Sequence, residues 1–230
     1  YMDLDILFSL GKDGYSRVYE YGGRVDKVYP VGSLFMEYQS FAKKQKLIKK
    51  YDIAILGINT SNAYSRLDFF DKFMDDYYSL YRWAAKLSLE RPNYKIVVIH
   101  HASAGEDIIE DKILSGSNVK VLDKNYNSYE IAFSSKLAIT YGSTMGYELN
   151  AHGLDTFFVD PGHRCTFLPN KGNDIIDKMR ITSYDDFARA IDEVVIDDRK
   201  FISNSESSAW ITESSEVSRK IFNLLNTPRG

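Results

Sequence analysis

From about residue 51 onwards, short apolar runs rich in β-branched residues alternate with amphipathic stretches. The runs cover 52–58, 95–99, 118–122, 136–141 and 155–160. Runs this short, with few polar positions inside them, predict strands buried on both faces. Between them the apolar spacing changes to a helical period over about 67–90, 105–115, 127–135 and 143–152. Strand and helix alternating in this rhythm predict right-handed crossovers and an α/β fold, a parallel sheet with helices on both faces. In the first helix Phe70, Phe73, Tyr77, Leu80, Tyr81 and Ala84 trace one face. Core packing is the reading preferred there over a cofactor box.

After Asp160 a loop runs over 161–172 and includes Pro161, Gly162, His163, Arg164 and Cys165. Ser183 caps the next helix, with Asp185 and Asp186 in its first turn. A last helix is expected over 214–226, with Val217, Ile221, Leu224 and Leu225 on one side, reached through a Ser-rich surface connection over 203–215. Residues 1–50 do not read as a complete domain. They hold strands over 4–8 and 26–29, the turn Val31-Gly32-Ser33 and a helix over 34–48. The expected division is a partial N-terminal segment, 1–50, the remnant or linker of something longer, ahead of one domain over 51–230 with its C-terminal helices.

Composition narrows the function classes. The 230 residues are 44% hydrophobic and 27% charged, an ordinary globular balance that argues against a disordered chain. A net charge of −3 gives no basic footprint for nucleic acid, so none is expected as a partner. The lone Cys165 cannot form an internal disulfide, and no Cys/His spacing points to zinc. No apolar run approaches the roughly 20 residues that span a bilayer, and the N-terminus does not read as a signal peptide. The expected location is cytoplasmic, with the inner face of the membrane as the alternative. Lys43–Lys50 reads as a solvated helix face; contact with an anionic membrane is the other reading. With 17 Tyr and 13 Phe the chain is aromatic-rich, and Tyr77, Tyr78 and Tyr81 are expected at the surface. Aromatics filling the core and exposing a hydroxyl are one reading, a carbohydrate or partner surface the other.

In an open parallel sheet, ligands bind outside the carboxyl ends of the strands. Three of the four histidines fall there: His100 and His101 after one strand, His163 after another, with His152 at the end of the helix between. His100 and His101 read either as one core and one exposed histidine or as site residues, and their position favours the second. The turn Tyr141-Gly142-Ser143-Thr144-Met145-Gly146 is a candidate phosphate cradle. Gly142 permits a sharp turn, Ser143 or Thr144 caps the helix, and first-turn N–H groups point at an anion. Ordinary capping is the plainer reading of the same residues. Glu148, one turn beyond Thr144, suits a pair of sugar hydroxyls. There is no GxGxxG, Walker A, GxSxG or HExxH pattern, and Asp3-Leu4-Asp5 is discounted as a metal motif because it begins an apolar strand.

The stretch from Lys136 to Gly153, centred on Gly142-Ser143-Thr144-Met145-Gly146-Tyr147-Glu148, resembles the donor-site segment of GT-B glycosyltransferases. Its nearest likeness is to the bacterial capsule and lipopolysaccharide surface-carbohydrate group. Ile96–His101 sits where that group has a strand ending in a Lys/Arg-Pro-His-Pro motif, although this chain lacks the proline and the cation. Val31-Gly32-Ser33 resembles the segment joining the two halves of such enzymes. The resemblance implies a Rossmann-like C-terminal half that binds a nucleotide-activated sugar. Gly142, Ser143, Thr144 and Met145 would hold the phosphate, Glu148 the ribose or sugar hydroxyls, and His100 or His101 would face the developing charge. His163 and Arg164 would add cationic donors. It implies no metal and no cofactor, the nucleotide sugar being substrate, and a glycan or lipid-linked glycan acceptor with peripheral association at the membrane or assembly machinery. The usual catalytic base belongs to the other half, so none is named.

The leading expectation is a glycosyltransferase, or its donor-binding half, in surface polysaccharide or lipopolysaccharide assembly. A sugar-nucleotide epimerase of the same fold is the alternative, with Glu106 and Glu148 as its candidate carboxylates. A flavodoxin-like module using the loop 59–62 and an interaction domain with an idle cleft complete the set.

Overall fold

A computed structural model describes residues 3–11, 19, 22–37, 48–58, 70–101, 107–122, 126–164, 174–201 and 216–226. Its main body is a six-stranded, all-parallel sheet. The strands are β3 (Tyr51–Leu56), β4 (Ile96–Ile99), β5 (Lys120–Val121), β6 (Ser135–Thr140), β7 (Thr156–Val159) and β8 (Arg180–Ile181). Their order is β5-β4-β3-β6-β7-β8, so the chain winds outward from β3 in one direction and from β6 in the other. This is the doubly wound Rossmann order, whose switch point opens a crevice at the carboxyl ends of the two central strands. The α/β expectation stands.

The apolar runs are continuous because both sheet faces are covered. In register, Ile53 lies beside Ile96 and Leu137, and Ala54 beside Val97 and Ala138. Successive side chains point to opposite faces. Ile53, Ile55, Val98, Leu137 and Ile139 therefore pack with Phe73, Tyr77, Leu80, Tyr81 and Ala84 of α1 (Phe70–Glu90) and with Phe187 and Ile191 of α6 (Tyr184–Val195). Ala54, Leu56, Val97, Ile99 and Ala138 face the other way, onto Tyr129, Ala132 and Phe133 of α3 (Ser128–Phe133) and Leu149 of α4 (Thr144–Ala151). The remaining helices are α2 (Ile108–Leu114), α5 (Asp174–Met179) and α7 (Val217–Asn226).

The tyrosines of α1 are not surface residues. Tyr77, Tyr78 and Tyr81 are buried, and Tyr77 and Tyr81 place their hydroxyls 2.6 Å apart. Two phenols on successive turns satisfy each other's polar ends, which lets their rings fill the core. The surface expectation is corrected on this point. β5 is shorter than its apolar run, and β8 was not anticipated; a two-residue strand carries too little pattern to stand out.

Ahead of this body, β1 (Asp3–Ser9) and β2 (Arg24–Pro30) pair in parallel as a separate two-stranded sheet. Val31 and Gly32 donate to the Ser9 carbonyl, closing the segment onto β1. Gly32 sits at φ 98°, a conformation that favours glycine. Of the expected helix at 34–48, residues 34–37, which are helical, and Ile48, which is not, lie among the described residues, and Met36 joins the second core cluster. All of 203–215, the loop 59–62, Cys165 and Glu106 lie outside them. Among the described residues no helix is long and apolar enough to cross a membrane.

Candidate functional site

At the switch point a cavity of about 510 Å³ opens between the ends of β3, β4 and β6. Leu56 and Gly57 form its floor, Ile99, His100 and His101 one side, and Ser143, Thr144 and Met145 the other. Phe35, Tyr126 and Tyr129 close it with aromatic surface. The structure therefore brings together five of the residues expected at the site: His100, His101, Ser143, Thr144 and Met145.

The α4 side is built by local rules. β6 ends at Thr140, whose Oγ1 accepts from the N–H groups of Gly142 and Ser143 at 3.3 and 3.1 Å and curls the chain into the helix. Ser143 is the N-cap, and its side chain accepts from the Met145 N–H at 3.3 Å. Two of the amides expected to hold a phosphate are thus turned inward to Thr140. Gly146 allows α4 to lie against the sheet: a Cβ there would stand 2.9 Å from Thr140 Cγ2 and 3.1 Å from Phe158 Cε1.

Glu148 lies behind this wall. It is buried, accepting from Ser33 Oγ at 2.8 Å and from the hydroxyl of Tyr129. Burial, reinforced by the Glu148 charge, pushes the Tyr129 phenol well above its ordinary range, so it remains a donor. Through Ser33, Glu148 ties the N-terminal segment to the back of the cavity, because Ser33 belongs to the turn that leaves β2.

His163 and Arg164 do not line the cavity. His163 is exposed at φ 52°. The Arg164 guanidinium forms two hydrogen bonds with buried Asp76, at 2.8 and 2.6 Å, and the Arg164 backbone N–H donates to the Asp160 carboxylate. Gly162 leaves room for that ion pair, since a Cβ there would collide with Arg164 and Asp76.

The histidine side holds a residue that sequence reasoning missed. Glu110 is 3% exposed, and its Oε1 lies 2.5 Å from His100 Nε2. The His100 N–H donates to the Tyr126 hydroxyl at 2.9 Å. Asp107 caps α2 by accepting from the N–H groups of Ile109 and Glu110, and Tyr78 of α1 donates to Asp107 at 2.8 Å. The cap and the tyrosine fix the helix that carries Glu110. The available signal was helical spacing: Glu110 and Leu114 share the buried face of α2, and a carboxylate on an apolar face needs a partner.

No protein-family model matches the chain, and no curated protein matches it in sequence. Its fold does match solved structures. S. aureus MnaA in complex with UDP superposes with a TM-score of 0.61 at 14% identity, covering 96% of this chain and 58% of that one. A Listeria monocytogenes protein assigned as a UDP-N-acetylglucosamine 2-epimerase gives 0.58 at 10% identity, covering 96% and 59%. UDP-GlcNAc 2-epimerase from Neisseria meningitidis, bound to UDP-GlcNAc, gives 0.56 at 11%, covering 96% and 60%. The chain spans about three-fifths of the length of these structures. At such identities the likeness is one of fold: a Rossmann-like, GT-B-type α/β architecture.

Proposed function

We propose that the chain binds a uridine-diphosphate sugar in the switch-point cavity, and that its enzyme class is a sugar-nucleotide 2-epimerase in preference to a surface-polysaccharide glycosyltransferase. The observation that carries the binding is the meeting, in one cavity, of the capped N-terminus of α4 with two histidines. A helix N-terminus and an imidazole both favour a diphosphate. The epimerase preference rests on the fold shared with structures described as UDP-GlcNAc 2-epimerases. In this reading Ser143, Thr144 and Met145 flank the diphosphate, and Gly142 shapes the turn. Glu148 exchanges Ser33 or Tyr129 for a ribose or sugar hydroxyl. The nucleotide sugar is substrate, and no resident cofactor is called for.

The test is calorimetry and thermal denaturation of the full chain with UDP, CMP, GDP, ADP and their sugars. A ligand at 100 times its Kd stabilises the fold by about 2.7 kcal/mol. UDP and UDP-GlcNAc are expected to bind, and Ser143→Ala to weaken them. Proton NMR of UDP-GlcNAc then separates the activities: an epimerase produces the C2 epimer without an acceptor, whereas a transferase releases UDP only when a glycan acceptor is added. Binding of another nucleotide in place of UDP overturns the uridine assignment, and silence across the panel overturns the site.

A further inference from the structure

Buried phenols lie behind His100 and Glu110. Burial, then the Tyr81 contact and the charge of Glu110, act on the Tyr77 phenol, whose oxygen also accepts from the Ile58 N–H just past β3. The Tyr77 and Tyr81 hydroxyls are 2.6 Å apart and share a hydrogen bond, and the charge of Glu110 acts on Tyr81 in turn. Either hydroxyl of this pair can donate to the other. Burial first, with the neighbouring Tyr77 and Glu110 adding to it, pushes the Tyr81 phenol far above its ordinary range, so the donor survives at any physiological pH.

A carboxylate that is almost wholly buried needs a partner of opposite charge beside it. His100 Nε2, 2.5 Å away on a side chain 20% exposed, is the group placed there. The other polar groups around this pair are Tyr77, Tyr78 and Tyr81 on α1, Asp107 at the cap of α2, Tyr126 on the loop before α3, and His101 beside it on the chain. Among these described neighbours only His101 can add positive charge, and Asp107 is spoken for by Tyr78 and two backbone N–H groups.

We propose that Glu110 is a positioning residue that holds His100 as the imidazolium, making it the built-in cation of the cavity. The further step, that this cation faces the diphosphate, rests on the binding reading above. The Tyr77–Tyr81 pair supports the arrangement from the core side and touches no ligand. The cavity thereby has a fixed positive charge without a lysine or arginine among its described lining residues, and one whose ring orientation is set by two elements, α1 and α2, remote from the helix N-terminus opposite.

The experiment begins without any nucleotide. Long-range 1H–15N NMR of the histidine rings in the full chain reads the charge and the protonated nitrogen of each of the four histidines. His100→Asn assigns the His100 signals, and exposed His163 is the internal reference. His100 is expected to remain imidazolium to a pH at least about one unit above His163, and Glu110→Gln, close in shape, to lower its midpoint by about one unit or more. If His100 loses its charge together with His163, or Glu110→Gln leaves its midpoint in place, the proposal fails. The wild-type comparison decides the matter even where the variant does not fold. Calorimetry with UDP adds the second arm. Glu110→Gln is expected to weaken UDP about tenfold at pH 7.5 and much less at pH 6, where the imidazolium returns unaided. An equal loss at both values marks a merely structural role. If wild type does not bind UDP at all, the binding reading falls while the ring titration still decides the charge of His100.

Discussion

The two walls of the cavity are made in different ways. The α4 wall is written within a few neighbouring residues: Thr140 curls the turn, Ser143 caps the helix and Gly146 lets it rest on β6 and β7. The opposite wall takes Tyr77 and Tyr81 from α1, Glu110 from α2 and His100 from the end of β4, and exists only once three elements have packed. A local wall tolerates errors elsewhere in the fold. A wall assembled across elements transmits them, because each buried polar group depends on the next.

High pH should break the assembled wall first, and with the largest effect. Burial above all raises the Tyr77 and Tyr81 phenols over the ordinary tyrosine value of 10.0, which applies in the unfolded chain. Their contribution to stability is complete below that value and declines as pH climbs from it towards the folded-state values, since only the unfolded chain is shedding those protons. The two phenols together account for about 2.7 kcal/mol of lost stability per pH unit in that range. Urea unfolding at several pH values above 10 checks this: the pH slope of the Tyr77→Phe/Tyr81→Phe double variant should be shallower than wild type by that amount. Equal slopes would show that these phenols are not what the alkaline transition reads.

The local wall breaks at Gly146. An added Cβ meets Thr140 and Phe158 inside van der Waals contact, and both are fully buried with nowhere to move. Gly146→Ala should cost about 1–3 kcal/mol, the usual range for overpacking. A melting temperature equal to wild type would mean that α4 can lift from the sheet without penalty. Ser143→Ala has a smaller expected effect, about 1 kcal/mol for a lost N-cap. Because Ser143 lines the cavity, the same variant should weaken nucleotide binding beyond what its stability loss explains.

The same contrast explains what could be read from the amino-acid order. The parallel sheet was legible because both its faces are buried, which leaves near-continuous apolar runs at 52–58, 95–99 and 136–141. The Ser143 cap and the Gly142 turn were legible because capping is decided within four residues. Tyr77, Tyr78 and Tyr81 were misread, since a tyrosine can face water or pair with another hydroxyl, and only packing decides. Glu110 was missed for a related reason: its partner His100 lies on another element, and nothing local requires a carboxylate on that turn. Arg164, expected at the ligand, is bound by Asp76 on α1, another pairing that no spacing announces.

The smallest change sharpens the comparison most, because it falls where the two walls meet. Gly57 follows β3 at the cavity floor, its N–H donating to the Ile99 carbonyl at 2.9 Å. A Cβ on it would stand 3.1 Å from the Tyr81 hydroxyl oxygen and 3.3 Å from the Ile99 carbonyl oxygen. The carbonyl is fixed in the sheet, so the phenol has to give way by a few tenths of an ångström. That shift leaves the hydrophobic core intact, and the stability change in Gly57→Ala should stay below about 1 kcal/mol. Yet Tyr81 is hydrogen-bonded to Tyr77 and close enough to Glu110 to feel its charge, so even a small displacement disturbs the packing behind the carboxylate. The His100 ring resonances should therefore move in this variant while the Ser143 and Thr144 amides, held by the turn at Thr140, stay in place. Movement of both sets to the same degree would mean that the two walls are one mechanical unit. Movement of neither would mean that the phenol chain has slack, and that Glu110 holds His100 without help from α1.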